Sequence, residues 1–184
     1  MPFRPLVSRR LFVGAVSATV AAALARALET DLIAHSLTVA TDRPNWRFCT
    51  KCQVMMYTAD GPGVCAGGGT HVPAGYRFRL PFGVPGTPNK QTGWRCCRKC
   101  QSMYYDGYRA KGKCPAGGMH DGDDRFRYVL PHGIDGTPTA QTEWRFCRKC
   151  YAMFYDGYEK KGTCPAGGAH FAQGYGFVLP HERR

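Results

Sequence analysis

Past residue 41 the apolar positions come in short bursts of aromatic and aliphatic residues, separated by Gly, Pro and Asp. In the last third of the chain the bursts fall at 144–147, 152–155 and 175–179, which predicts three short antiparallel strands. No stretch beyond residue 40 holds a helical period. The same succession occurs three times, so the chain predicts a small all-β protein built from repeats.

The repeats can be set in register residue by residue. Trp46-Arg47-Phe48-Cys49-Thr50-Lys51-Cys52 returns as Trp94-Arg95-Cys96-Cys97-Arg98-Lys99-Cys100 and as Trp144-Arg145-Phe146-Cys147-Arg148-Lys149-Cys150. Between 94–120 and 144–170, 19 of 27 positions are identical, whereas the first copy has drifted and its loop is one residue shorter. The boundaries drawn from this are a leader over 1–40 and repeats over 41–88, 89–138 and 139–184. The joints repeat as well, with Gly86-Thr87-Pro88 and Gly136-Thr137-Pro138 each followed by Gln-Thr ahead of the next Trp. Such Gly and Pro punctuation predicts ordered turns and neighbours packed at a fixed angle. A unit of this size buries too little apolar surface to be secure alone and needs a metal or disulfides.

Composition points to how that need is met. Ten cysteines are present, and nine of them fall into three sets, each closed by a His. The sets are Cys49, Cys52, Cys65 and His71; Cys97, Cys100, Cys114 and His120; and Cys147, Cys150, Cys164 and His170. Three thiolates and an imidazole complete the tetrahedral shell of a structural zinc ion, so three zinc ions are expected. Gly68-Gly69, Gly117-Gly118 and Gly167-Gly168 permit the left-handed turns that would bring Cys and His back onto one ion. A disulfide framework is the rival reading, but three Cys in a unit cannot pair completely and the recurring His would have no role. Iron fits the His poorly. Cys96 stands outside the sets, where the other repeats have Phe, and reads as a small apolar replacement.

The remaining candidates carry two readings each. Tyr104-Tyr105-Asp106-Gly107-Tyr108 and Phe154-Tyr155-Asp156-Gly157-Tyr158 suit stacking on sugars or bases, or an Asp-Gly turn between packed aromatics. His132 and His181 follow Leu-Pro in equivalent places and read as packing, as do Met55, Met103 and Met153. Lys51, Lys99 and Lys149, inside each Cys-x2-Cys, would offset the charge of a three-thiolate zinc site. From residue 41 onward 21 basic face 11 acidic side chains, a charge of +10 that falls to about +7 once each Cys3His zinc is counted as −1.

Residues 1–28 hold four Arg and no acid, with an Ala-rich apolar stretch interrupted by Arg26. Ser8-Arg9-Arg10-Leu11-Phe12-Val13 resembles the twin-arginine export motif of bacteria, without its usual later Lys. The resemblance implies an N-terminal signal helix, export to the periplasm, cell surface or medium as an already folded protein, and zinc insertion where thiols are still reduced. Cleavage would follow Ala25 or Ala40, and an uncleaved signal would be the one membrane attachment. An Ala-rich surface helix and a mitochondrial presequence are the competing readings.

The Trp-Arg-x-Cys-x-Lys-Cys and Cys-Pro-Ala-Gly-Gly-x-His pattern is similar to zinc-ribbon and zinc-knuckle modules, and resembles tandem Cys-rich repeats of exported bacterial proteins, over about residues 44–180. It implies three tandem zinc-ribbon-like repeats. The function expected is a non-enzymatic binding or structural module for an extracytoplasmic ligand, a polysaccharide or other envelope component. A nucleic-acid-binding zinc ribbon is the alternative, favoured by basic charge and disfavoured by export. A hydrolytic enzyme ranks below both, because no nucleophile–base pair or paired carboxylates recur.

Overall fold

A computed structural model describes residues 41–183. The leader, its expected signal helix and both cleavage points lie outside the described residues. Each repeat is a three-stranded antiparallel sheet whose first strand is central: β1 (Asp42–Cys49), β2 (Met55–Tyr57) and β3 (Pro73–Pro81) in the order β2-β1-β3. The second sheet is β4 (Lys90–Cys96), β5 (Met103–Tyr105) and β6 (Tyr128–Pro131), ordered β5-β4-β6. The third is β7 (Ala140–Cys147), β8 (Met153–Tyr155) and β9 (Ala172–Pro180), ordered β8-β7-β9. Among the described residues there is no helix, so the all-β expectation holds.

The central strands begin before the Trp, because a bulge lengthens them. Asn45, Gly93 and Glu143 have φ of 70°, 87° and 66°, and the pairing with the third strand shifts register there. The carbonyl of each is turned to a loop amide, that of Thr58, Asp106 or Asp156. The bulge also brings the side chain three residues back onto the Trp, and Trp94 and Trp144 donate their indole N–H to Gln91 and Gln141 at 3.0 and 3.1 Å.

The three sheets close into a ring with approximate threefold symmetry. The amides of Tyr57, Tyr105 and Tyr155 donate to the carbonyls of Gln101, Tyr151 and Gln53, so repeat 1 is joined to 2, 2 to 3, and 3 back to 1. The rings of Trp46, Trp94 and Trp144 lie edge-on to Tyr128, Phe177 and Phe78 of the following repeat at 5.1, 5.1 and 5.2 Å. One apolar core therefore serves all three repeats, with the three Trp, Met55, Met103, Met153, Leu80, Leu130 and Leu179 buried together. The joints are tight turns, closed by reciprocal backbone bonds between Thr87 and Lys90 and between Thr137 and Ala140.

Candidate metal centres

Each metal centre is assembled from two turns. The first follows the central strand: Gln53, Gln101 and Tyr151 donate their amides to the carbonyls of Cys49, Cys97 and Cys147. This curls the Cys-x2-Cys backbone so that both sulfurs face the same side. The second turn is the Gly-Gly segment, where Gly68, Gly117 and Gly167 have φ of 93°, 97° and 96°. The amides of Cys65, Cys114 and Cys164 are bonded there to the carbonyls of Gly69, Gly118 and Gly168. Lys99 clamps one turn to the other by donating to the carbonyl of Gly117 at 2.7 Å, and Lys51 and Lys149 do the same to Gly68 and Gly167. These lysines thus hold the turns in addition to offsetting charge.

The structure brings together every member of the three expected sets. Cys49, Cys52, Cys65 and His71 form one group, Cys97, Cys100, Cys114 and His120 the second, and Cys147, Cys150, Cys164 and His170 the third, all buried, with ligand atoms within 4.8 Å of one another. Every described Cys is a free thiol. The spacing fits a tetrahedral zinc, for which Zn–S of about 2.3 Å implies a sulfur–sulfur edge near ~3.8 Å. The Cys49–Cys65 and Cys97–Cys114 sulfurs are 3.8 and 3.9 Å apart. Nδ1 of His71, His120 and His170 lies 3.3, 3.5 and 3.4 Å from the sulfur of Cys52, Cys100 and Cys150.

The electrostatics are those of thiols crowded closely enough to shift one another in opposite directions. Hydrogen bonding from Cys52 holds the Cys49 thiol down to about 3, and contact with Cys49 and Cys65 together with burial pushes Cys52 far up. The pattern recurs with Cys97 held down and Cys100 pushed up, and with Cys147 held down and Cys150 pushed up. Three crowded thiols ionise together only around a shared positive charge. Burial disfavours charge on His120 and His170, but the neighbouring thiolates outweigh it and raise both to about 9. These Cys3His groups, with no disulfide at bonding distance, are consistent with three bound zinc ions.

A connection between centres was not legible in the motifs. Nε2 of His71 donates to the carbonyl of Cys100, Nε2 of His120 to that of Cys150, and Nε2 of His170 to that of Cys52, each at 3.1 Å. Each imidazole is therefore oriented by the backbone of a Cys in the next centre, and the three form a cycle.

Other candidates sort by burial. Tyr104 and Phe154 are buried and stack on His120 and His170 at 4.7 and 4.8 Å, whereas Tyr108 and Tyr158 remain half exposed. Asp106 and Asp156 pair with Lys111 and Lys161 at 3.0 and 3.1 Å, and so stabilise the Asp-Gly turn. His132 and His181 stack on Tyr175 and Tyr76, each at 3.8 Å, and the three Met lie in the core. Cys96 is buried, and burial pushes its thiol up.

Fold and centres together define an all-β zinc-binding structural module of three Cys3His repeats. Comparison with protein families, curated proteins and solved structures gave no match to the chain.

Proposed function

We propose that the protein is an exported, non-enzymatic binding module in which three zinc ions hold a ring of repeats that displays aromatic surfaces to an extracytoplasmic polysaccharide or other envelope component. The observation that carries this reading is the closed donor set. All four positions of each tetrahedron are supplied by buried protein side chains, whereas a catalytic zinc keeps one for water or substrate. With the metals engaged in structure, the groups available to a ligand are those displayed on the outside, such as Tyr108, Tyr158 and Tyr175. Export rests on Ser8-Arg9-Arg10-Leu11-Phe12-Val13, and a route for folded proteins suits a chain whose nine ligand thiols must stay reduced until zinc is bound.

The basic charge favours nucleic acid as a second reading, and one experiment separates the two. The full chain, expressed in a bacterium with a twin-arginine route and recovered from outside the cytoplasm, is sedimented with peptidoglycan, chitin and cellulose across a salt series and compared in gel shifts with DNA and RNA. Retention on a polysaccharide that changes less than about twofold with salt is expected, against the steep log-linear loss of phosphate binding. Cytoplasmic retention of the chain, or salt-steep nucleic-acid binding with no polysaccharide retained, overturns the proposal.

A further inference from the structure

Two clefts of one design lie where one repeat meets the next. The first, of about 260 Å³, is lined by Gln91, Tyr105 and Tyr108 of repeat 2 and by Phe146, Gln173 and Tyr175 of repeat 3. The second, of about 80 Å³, is lined by Gln141, Tyr155 and Tyr158 of repeat 3 and by Phe48, Tyr76 and Phe78 of repeat 1. The two sets correspond by position. Gln stands three residues before the Trp, Tyr105 and Tyr155 pair with Trp94 and Trp144 across the sheet, and Tyr108 and Tyr158 follow three residues on. Phe146 and Phe48 then lie two residues beyond the next Trp.

Between repeats 1 and 2 the equivalent place is filled by the chain itself. Arg43 replaces the Gln, and its guanidinium lies 4.0 Å from the ring centre of Tyr57 and 3.7 Å from that of Phe126. Nη1 donates to the Tyr128 hydroxyl at 3.1 Å, and Nη2 lies 3.9 Å from the carboxylate of Asp60, which stands where the other repeats have Tyr108 and Tyr158. Tyr57 corresponds to Tyr105 and Tyr155, and Phe126 to Tyr175 and Tyr76. The frame therefore accepts a flat group between two aromatic faces. In the other two copies the residue that could fill it is held back, because Gln91 and Gln141 are bonded to the indoles of Trp94 and Trp144.

We propose that these two clefts each bind one pyranose ring of a glycan, and that Arg43 closes the third. A sugar ring presents C–H groups to aromatic faces and hydroxyls to amides and phenols, the groups that line both clefts. Among the described residues no charged side chain lines either cleft. A cationic ligand fits worse: with its Oε1 taken by Trp94, Gln91 offers N–H donors. The one cation the frame does hold, Arg43, comes with Asp60, and that carboxylate is replaced by Tyr in the open copies. Tyr108 and Tyr158 pack edge-on to Tyr105 and Tyr155 at 5.1 and 5.0 Å, which sets their rings at the cleft mouths. The proposal rests on the polysaccharide reading above and adds the site, the stoichiometry and the reason one copy is silent.

The test transplants the native plug. Gln91→Arg with Tyr108→Asp, and Gln141→Arg with Tyr158→Asp, recreate at each open cleft the pair that repeat 1 already carries. The zinc-loaded full chain is titrated calorimetrically with chitohexaose and cellohexaose, and with tetramethylammonium chloride as a cation probe. Two sites per chain are expected, one after either pair of substitutions and none after both. Retention on the insoluble polysaccharide should drop at least about tenfold when one cleft is closed, because bivalent attachment is lost. Tyr108→Ala and Tyr158→Ala, at half-exposed positions, serve if the plugged variants do not fold. Variants of native zinc content that stay on the polysaccharide as firmly as the parent sink the clefts and spare the polysaccharide reading. A parent that binds no polysaccharide sinks both, and a response to tetramethylammonium without one to sugar overturns the pyranose assignment.

Discussion

At the scale of single residues, the ligand histidines have two tasks. Nδ1 faces the sulfurs of its own centre, and Nε2 reaches a cysteine carbonyl 3.1 Å away in the next repeat. The close approach this needs depends on Gly63, Gly112 and Gly162, whose φ values are 60°, 68° and 64°. A Cβ at any of them would run into the carbonyl oxygen of Cys100, Cys150 or Cys52. Gly112→Ala should therefore cost about 3 kcal/mol or more, the left-handed strain and the clash together. Gly118→Ala should cost only about 1–2 kcal/mol, since its φ is 63° but a Cβ there meets nothing within 4 Å. Denaturant unfolding of the zinc-loaded proteins measures both, and equal losses would contradict the role given to the carbonyl. The ligands themselves were legible in sequence because metal chemistry restricts them to Cys and His at reachable spacing. The carbonyl partners were not, since every residue has a carbonyl and nothing in its side chain announces which one accepts.

At the scale of elements, the third strands differ. β3 and β9 each run for nine residues and β6 for four. In repeat 2 the chain carries Asp121-Gly122-Asp123-Asp124 where the others begin the strand, at Pro73 and Ala172. Asp123 is buried there, and its carboxylate accepts from the backbone amide of Arg125 at 3.0 Å and from its guanidinium at 2.8–3.1 Å. The Arg125 guanidinium and amide hold the Asp123 carboxyl below the usual range. Because the folded value lies below the unfolded one, its contribution is complete above about pH 4 and is lost as pH falls through the depressed value. Asp123→Asn should thus lower the thermal midpoint most at neutral pH, and the gap from the parent should close on acidification below about pH 4. A gap that stays constant down to about pH 3 would falsify the pairing. The sequence placed the strands within a few residues from the aromatic bursts. It missed the early start of β7 at Ala140, because a bulge at Glu143 with φ of 66° leaves no compositional mark.

At the scale of the whole molecule, the ring makes the three metal centres interdependent. Trp46, Trp94 and Trp144 share one core, and the imidazole cycle runs through all three centres. Stripping zinc with a chelator should therefore abolish near-ultraviolet dichroism in one transition, with species holding one or two ions scarcely populated in native mass spectrometry. Stepwise loss, with one repeat opening while the others keep their signal, would show the centres to be independent. Replacing His120 with Ala should reach beyond its own site, because the Cys150 carbonyl, in the backbone that carries a ligand of the third centre, loses the N–H it accepts from His120. Removing such an orienting partner costs roughly 10–100-fold in metal affinity.

The sequence by itself determined the class of the protein: the β character, the threefold repetition and the twelve ligands, because periodicity, turn residues and metal-ligand spacing are local properties written within some twenty-five residues. Only the tertiary structure decided that the repeats close on one another, that each imidazole leans on the next centre, and that among the described residues Arg43 fills one of three equivalent clefts and no side chain fills the other two. Those facts depend on which surfaces of distant segments meet. The residues that make them, a carbonyl, a glutamine, a tyrosine two places before a tryptophan's partner, are ordinary until ring closure puts them face to face.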